Sequence, residues 1–149
     1  MKKDPKSSKS RFASNPYCSI VKAHLPKGYK LREQKLRGNT AGYATFHREI
    51  ICEPITDRER LFVFLHECGH VHNRHLRQNT DIPAWQEEYE ADQYAIQAMR
   101  LHKIPIPKIV LQHHKNLVRM ALNLDPDGTD NVKILRYAYG KDWRQNRSE

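Results

Sequence analysis

The chain of 149 residues has few cysteines and no long apolar run. Cys18, Cys52 and Cys68 lie far apart and form no Cys-x-x-Cys pair, so the sequence predicts neither a disulfide framework nor an all-cysteine zinc site. The longest uninterrupted apolar run is 61–65, far short of the ~20 residues that a membrane-spanning helix needs. No apolar stretch typical of a signal peptide follows the basic N-terminus. We therefore expect a cytoplasmic, reduced protein with no membrane partner.

Acidic residues are scarce in the first third of the chain. Residues 1–48 contain twelve Lys and Arg against Asp4 and Glu33, a net charge of +10, whereas residues 49–149 contain fourteen against fifteen, a net charge of −1. We expect residues 1–15 to form a disordered basic tail, because this Lys- and Ser-rich stretch has little apolar surface to bury. The basic block indicates an anionic partner such as nucleic acid, or no more than a solubilising tail.

The pattern of apolar and turn residues predicts one α+β domain over residues 16–145. A short helix is expected within 16–25, followed by about three short antiparallel strands between residues 29 and 52. The segment 56–59 reads Thr-Asp-Arg-Glu, the form of a capping box, which places the start of the first long helix at Thr56. Later helices are expected over about 83–101, 109–124 and 131–139, before a polar tail. The predicted architecture is a small antiparallel sheet packed on a helical bundle.

The segment 66–70 reads His-Glu-Cys-Gly-His and lies in the first long predicted helix. Because His66 and His70 are one helical turn apart, both imidazoles can bind one metal ion. Glu67 follows the first histidine and can accept a proton from an activated water as a general base. Zinc suits two imidazoles and a carboxylate, although manganese or iron also fits these ligand types. The alternative, two solvent-facing histidines on an amphipathic helix, is disfavoured by the apolar stripe on the same helix.

A carboxylate from the next predicted helix is expected to complete the metal site. Glu88 and Asp92 are four residues apart and share a helix face, whereas Glu87 and Glu90 point elsewhere. We predict that Glu88 binds the metal and that Asp92 accepts a hydrogen bond from the free nitrogen of a ligand histidine. The alternative is an acidic, solvated helix face with no part in metal binding.

For other residues near the motif, structural roles are expected. Gly69, which is costly inside a helix, indicates that a strand or the substrate approaches it closely. We expect His72 and His75 to contribute to a half-buried helix face and a C-terminal cap. Cys68 is expected to be a small buried hydrophobe. Four further side chains could face the cleft and stabilise an oxyanion, although packing is the expected role of each: His113, His114, Tyr137 and Tyr139.

Together, the two motifs resemble those of the gluzincin metallopeptidases, especially the compact cytosolic ImmA/IrrE-like group. The resemblance covers roughly residues 50–107, and its second motif is the segment 88–95, which reads Glu-Tyr-Glu-Ala-Asp-Gln-Tyr-Ala. Cys68, Asp92 and Tyr94 stand where that group usually has Leu, Asn and Phe. The resemblance implies a zincin-like fold and a zinc-dependent metallopeptidase that cleaves a specific cytosolic protein. An edge of the sheet would then hold an extended peptide by strand addition.

The resemblance also implies a partner, because members of that group often accompany a helix-turn-helix repressor. Such a repressor is therefore a candidate substrate. Two other functions are open at this point. The protein could be a non-proteolytic regulator that binds a repressor or nucleic acid and keeps the metal for structure, or a DNA-associated protein that acts through residues 1–48. An open coordination position at the metal argues against the first, and a steep salt dependence of nucleic-acid binding would support the second.

Overall fold

The computed structural model describes residues 15–38, 41–76 and 81–147. Over these ranges the chain has an α+β fold, as expected, and none of its helices there is long and apolar enough to cross a membrane. The predicted disordered tail, residues 1–15, lies outside the described residues except for its last residue. In chain order the elements are α1 Cys18–His24, β1 Lys30–Glu33, β2 Gly42–Ala44, β3 Glu49–Cys52, α2 Arg58–His72, α3 Ala84–Leu101, α4 Lys108–Leu124, α5 Val132–Tyr139 and α6 Trp143–Asn146.

The three strands are present, but the sheet is mixed rather than wholly antiparallel. Its order is β1-β3-β2, with β3 antiparallel to β2 and parallel to β1. Only β2 and β3 are joined by a connection short enough for a hairpin, with Arg48 at a positive φ of 58°. Parallel pairing needs a crossover of about a dozen residues or more, and residues 34–48, which include β2, provide it. The prediction of a wholly antiparallel sheet is therefore wrong for β1, which pairs in parallel with β3.

The two ends of the helical region also differ from the sequence prediction. The N-cap of α2 is Asp57 and not Thr56, because the Asp57 carboxylate accepts a hydrogen bond from the Arg60 backbone N–H at 2.8 Å. Near the C-terminus, α6 forms where a polar tail was expected. Trp143 packs against the apolar cluster of α4 and α5, and the side chain of Asn146 donates to the Tyr139 carbonyl at 2.8 Å.

Helix α2 lies at the centre of the fold. Every residue from 61 to 69 is buried, because β2, β3, α1, α3 and α4 all contact this helix. The sequence predicts one buried stripe, whereas the structure encloses the helix on all sides. Cys68 is fully buried, as expected for a small hydrophobe. The central position of α2 lets groups from a strand and from two other helices surround the motif that it carries.

The backbones of α2 and α3 approach each other closely at Gly69. A Cβ atom at this position would lie 2.8 Å from the Cα atom and 2.9 Å from the carbonyl oxygen of Ala91, closer than real Cβ atoms come. The partner in the predicted close approach is therefore the backbone of α3, and not a strand or the substrate. Glu88 and Asp92 lie within one turn of Ala91, so this contact also sets how near both carboxylates come to α2.

We expect Gly69→Ala to destabilise the protein by about 1–3 kcal/mol, the usual cost of overpacking a core. The sign is informative, because alanine is intrinsically better than glycine in a helix by roughly 0.5–1 kcal/mol. The measurement is the free energy of unfolding in urea, with Gln97→Ala on the exposed face of α3 as the control. Unchanged or increased stability would show that α3 is not held against α2 at this point.

Candidate active site

The side chains of the three predicted ligands, His66, His70 and Glu88, converge at the C-terminal half of α2. The Nε2 atoms of His66 and His70 lie 3.0 Å apart. The Glu88 carboxylate lies 3.3 Å from the first of these nitrogens and 3.5 Å from the second. In a tetrahedral zinc site with bonds of about 2.0–2.1 Å, neighbouring ligand atoms are about 3.3 Å apart. The three side chains therefore have the spacing of one face of a zinc tetrahedron.

These three side chains lie at the floor of a cleft of about 400 Å³. The side chain of His66 is 4% exposed, that of His70 13% and that of Glu88 31%, so the group is buried on one side and open on the other. Strand β2 and helix α4 also contribute walls of the cleft. The lining residues from these walls are Gly42, Tyr43, Ala44, His113, His114 and Leu117.

Asp92 is fully buried behind His66. One of its oxygens lies 2.8 Å from His66 Nδ1, and the other accepts a hydrogen bond from the Tyr137 hydroxyl at 2.8 Å. An ionised carboxylate can only accept, so Nδ1 of His66 carries a proton, and the neutral form of the ring has its lone pair on Nε2, the atom that faces His70 and Glu88. Tyr137 therefore supports the site through Asp92 rather than stabilising an oxyanion.

The electrostatics of the site favour a positive charge. Burial alone would lower the pKa of His66, but the Asp92 and Glu88 carboxylates raise it overall. Burial alone would raise the pKa of Asp92, but its contacts with His114 and His66 lower it. The pKa of Glu88 is likewise lowered, because its interactions with both histidines outweigh burial. Carboxylates held in their charged form around two imidazoles are the surroundings that a divalent cation needs.

Glu67 lines the same cleft, beside the converging side chains. Burial raises the pKa of Glu67 to about 7, although the charge of His66 and a hydrogen bond with the Ala44 backbone oppose the rise. A carboxylate that titrates near neutral pH can both accept and return a proton. Glu67 is thus placed and tuned for general acid–base chemistry within the cleft.

Strand β2 is an edge strand of the sheet that the described residues form, and it lines the cleft. The Thr45 backbone N–H donates to the Glu49 carbonyl at 2.9 Å, so these residues form a hydrogen-bonded pair. In an antiparallel ladder bonded and non-bonded pairs alternate, so the backbone groups of Gly42 and Ala44 point away from β3. This direction explains how the Ala44 amide reaches Glu67.

Two residues that the sequence interpretation set aside belong to the surroundings of His70. His75 Nδ1 lies 2.9 Å from His70 Nδ1, and His75 Nε2 lies 2.8 Å from a Glu90 carboxylate oxygen. His75 does lie in the C-terminal cap of α2, where its backbone N–H bonds to the His70 carbonyl, but the prediction missed the contacts of its ring. Its place depends on the turn after α2, where Arg74 has a φ of 63°, and no periodic pattern encodes that turn. For Glu90 the sequence does contain a signal. Gln86 and Glu90 are four residues apart, a spacing that predicts a shared helix face, and their side chains are hydrogen-bonded at 2.8 Å.

His114 also lies at the site rather than in the distant core. Its Nδ1 is 2.9 Å from an Asp92 oxygen, but at an angle that does not make a hydrogen bond, and among the described residues it has no other such partner. His66, Asp92 and His114 therefore form a second group that could hold a metal ion, sharing His66 with the first. His113 lines the cleft, whereas the Tyr139 hydroxyl bonds to Asn123, far along α4.

Residues 60–103 match the model of the Peptidase U49 family. The match covers less than a third of the chain, but that stretch contains both motifs, and with them the predicted metal ligands, Glu67 and Asp92. It indicates similarity to a peptidase family, which confirms that part of the resemblance but not the ImmA/IrrE-like group in particular. No curated protein and no solved structure matches the chain significantly.

Proposed function

We propose that the protein is a zinc-dependent metalloendopeptidase. The observation that carries the proposal is the convergence of His66, His70 and Glu88 beside Glu67 in an open cleft. The similarity of residues 60–103 to a peptidase family supports the same reaction class.

The donor set fits zinc in number, type and spacing. Both histidine Nε2 atoms face the Glu88 carboxylate at the separations expected between neighbouring zinc ligands. A structural zinc site usually has four protein ligands, whereas a catalytic site has three and leaves one position open. The part of the chain that the structure describes brings three ligand groups together at this point, with Glu88 partly exposed. This arrangement favours an enzyme over the non-proteolytic regulator.

When bound, the metal would polarise the scissile carbonyl and make a water molecule more acidic. The residues of the chain supply the remaining steps. Glu67 accepts the proton of the attacking water and then donates it to the leaving amine, a transfer for which a pKa of about 7 is suited. The outward backbone groups of Gly42 and the Ala44 carbonyl bind the substrate as an added strand. The Ala44 amide holds the Glu67 carboxylate in place.

As substrate we propose an extended segment of a specific cytoplasmic protein. A helix-turn-helix repressor is the candidate that the resemblance to the ImmA/IrrE-like group implies. The basic residues 1–48 could bring such a substrate, or the nucleic acid that it binds, to the enzyme through charge attraction. Zinc rather than manganese or iron is proposed because two imidazoles and one carboxylate suit its tetrahedral preference.

A library of peptides from a digested proteome tests the reaction class without a known substrate. We expect the purified protein to bind about one zinc per chain. In the zinc-bound form it should generate new peptide termini, which mass spectrometry identifies. Termini should be absent after a chelator removes the metal and should return when zinc is restored. A protein that holds zinc but cleaves neither the peptides nor any protein of an intact lysate would instead be the regulator.

A further inference from the structure

We propose that His75 and Glu90 are positioning residues that fix the tautomer and orientation of His70. The proposal rests on the proposed function, because it assigns them to a histidine that binds the metal there. It adds a second chain of hydrogen bonds to that of Asp92 and His66. Neither residue touches the reacting atoms, so their effect would pass through His70.

The contacts form a continuous chain of side chains from the cleft to α3. His70 Nδ1 lies 2.9 Å from His75 Nδ1, and His75 Nε2 lies 2.8 Å from the Glu90 carboxylate. The other Glu90 oxygen accepts a hydrogen bond from the Gln86 amide at 2.8 Å. Both oxygens of the Glu90 carboxylate therefore have a hydrogen-bond partner.

The protons in this chain have one consistent arrangement when Glu90 is ionised and His75 is neutral. The carboxylate is only an acceptor, so His75 Nε2 must carry a proton. A neutral His75 then has a lone pair on Nδ1, which can accept only from a protonated Nδ1 of His70. That tautomer leaves the lone pair of His70 on Nε2, the atom that faces His66 and Glu88. The chain thus selects the form of His70 that can bind a metal.

Burial and the backbone hold the intermediate ring rigidly. The side chain of His75 is 1% exposed, and its backbone N–H donates to the His70 carbonyl at 2.9 Å. The Glu90 side chain is 33% exposed, so this end of the chain of side chains lies near solvent. A buried imidazole between a candidate ligand and a carboxylate is a costly arrangement unless each of its nitrogens has a partner, and here both do.

The two histidines of the motif are therefore supported from the same helix by different routes. Asp92 reaches His66 directly, whereas Glu90 reaches His70 through a second imidazole. This difference follows from helix geometry. Glu90 lies two residues from both Glu88 and Asp92, about 200° around the axis, so it cannot share their face. His75, placed by the turn after α2, spans the distance that remains.

The test compares zinc affinity in the full-length wild type, His75→Phe and Glu90→Gln by competition with a chelator. The phenylalanine keeps the ring but removes both nitrogens, and the glutamine keeps the shape but removes the charge. We expect zinc affinity to fall roughly 10–100-fold in His75→Phe, with a smaller loss in Glu90→Gln, as for other hydrogen-bond partners of metal ligands. His72→Phe is the matched control, because the exposed His72 ring contacts Tyr94 and not His70. Its affinity should be unchanged.

A spectroscopic measurement separates positioning from a general loss of structure. The visible d–d bands of the cobalt(II)-substituted protein should shift in His75→Phe and Glu90→Gln but not in His72→Phe. If His75→Phe does not fold, Glu90→Gln decides the result. Wild-type affinity and wild-type cobalt spectra in both variants would overturn the positioning role and leave the proposed peptidase intact. A wild-type protein that binds no zinc would overturn both proposals.

Discussion

Glu67→Gln is expected to slow peptide hydrolysis by roughly 10²–10⁴-fold, the usual contribution of a general base. The amide has nearly the shape of the carboxylate but cannot accept the proton of the attacking water. Zinc content should not change, because Glu67 lies outside the group formed by His66, His70 and Glu88. The measurement is kcat and KM on a peptide identified from the library, together with the metal content of the same preparation.

The control for this experiment is Glu59→Gln, the same substitution in the first turn of α2. Glu59 pairs with Arg58 on the surface, and its side chain is 45% exposed. We expect wild-type kinetics from this variant. If Glu67→Gln retains wild-type kcat and zinc content, another group moves the proton. If cleavage disappears together with the metal, the loss has a structural cause.

Glu88→Gln is expected to weaken zinc binding by more than about 100-fold, the upper end of the cost of losing only a hydrogen-bond partner of a ligand. Here the charged ligand itself is replaced by a neutral amide. The measurement is equilibrium dialysis against buffered zinc, with Glu59→Gln again as the control. The result also locates the metal, because the structure offers two groups that share His66.

His114→Phe distinguishes these two groups. The His114 ring packs edge-on against Phe62, so phenylalanine is tolerated better there than a smaller residue. With the metal between His66, His70 and Glu88, zinc affinity should survive His114→Phe and fall in Glu88→Gln. The opposite result would place the metal between His66, Asp92 and His114 and would show that the predicted ligand set is wrong.

Local features of the fold are the ones that could be predicted from the sequence. The α1, β3 and α4 segments follow from short-range apolar patterns and from prolines that end them, and the structure has them close to the expected places. The parallel pairing of β1 with β3 could not be predicted, because it depends on which strand fills the centre of the sheet. The all-round burial of α2 has the same origin, since its enclosure is decided by elements distant in sequence.

The residues of the candidate site likewise differ in whether the sequence could predict their positions. His66, His70, Glu88 and Asp92 lie at fixed helical spacings, so their meeting depends only on two helices packing face to face. His75 was missed because its position depends on a turn with a left-handed residue, Arg74. A pattern of residue types specifies a helix face, but it does not specify where a chain goes after the helix ends.

The close contact between Gly69 and Ala91 fixes the position of α3, and of the carboxylates on it, relative to α2. Glu88, Glu90 and Asp92 all lie on this helix, so no one of them can move relative to α2 without the other two. A metal ion held between the helices would favour only the docked arrangement and would stabilise it by mass action. Loss of the ion and separation of the helices would then be thermodynamically coupled, so that each favours the other. The glycine that allows the backbones to touch therefore also makes the ligands act as one cooperative unit.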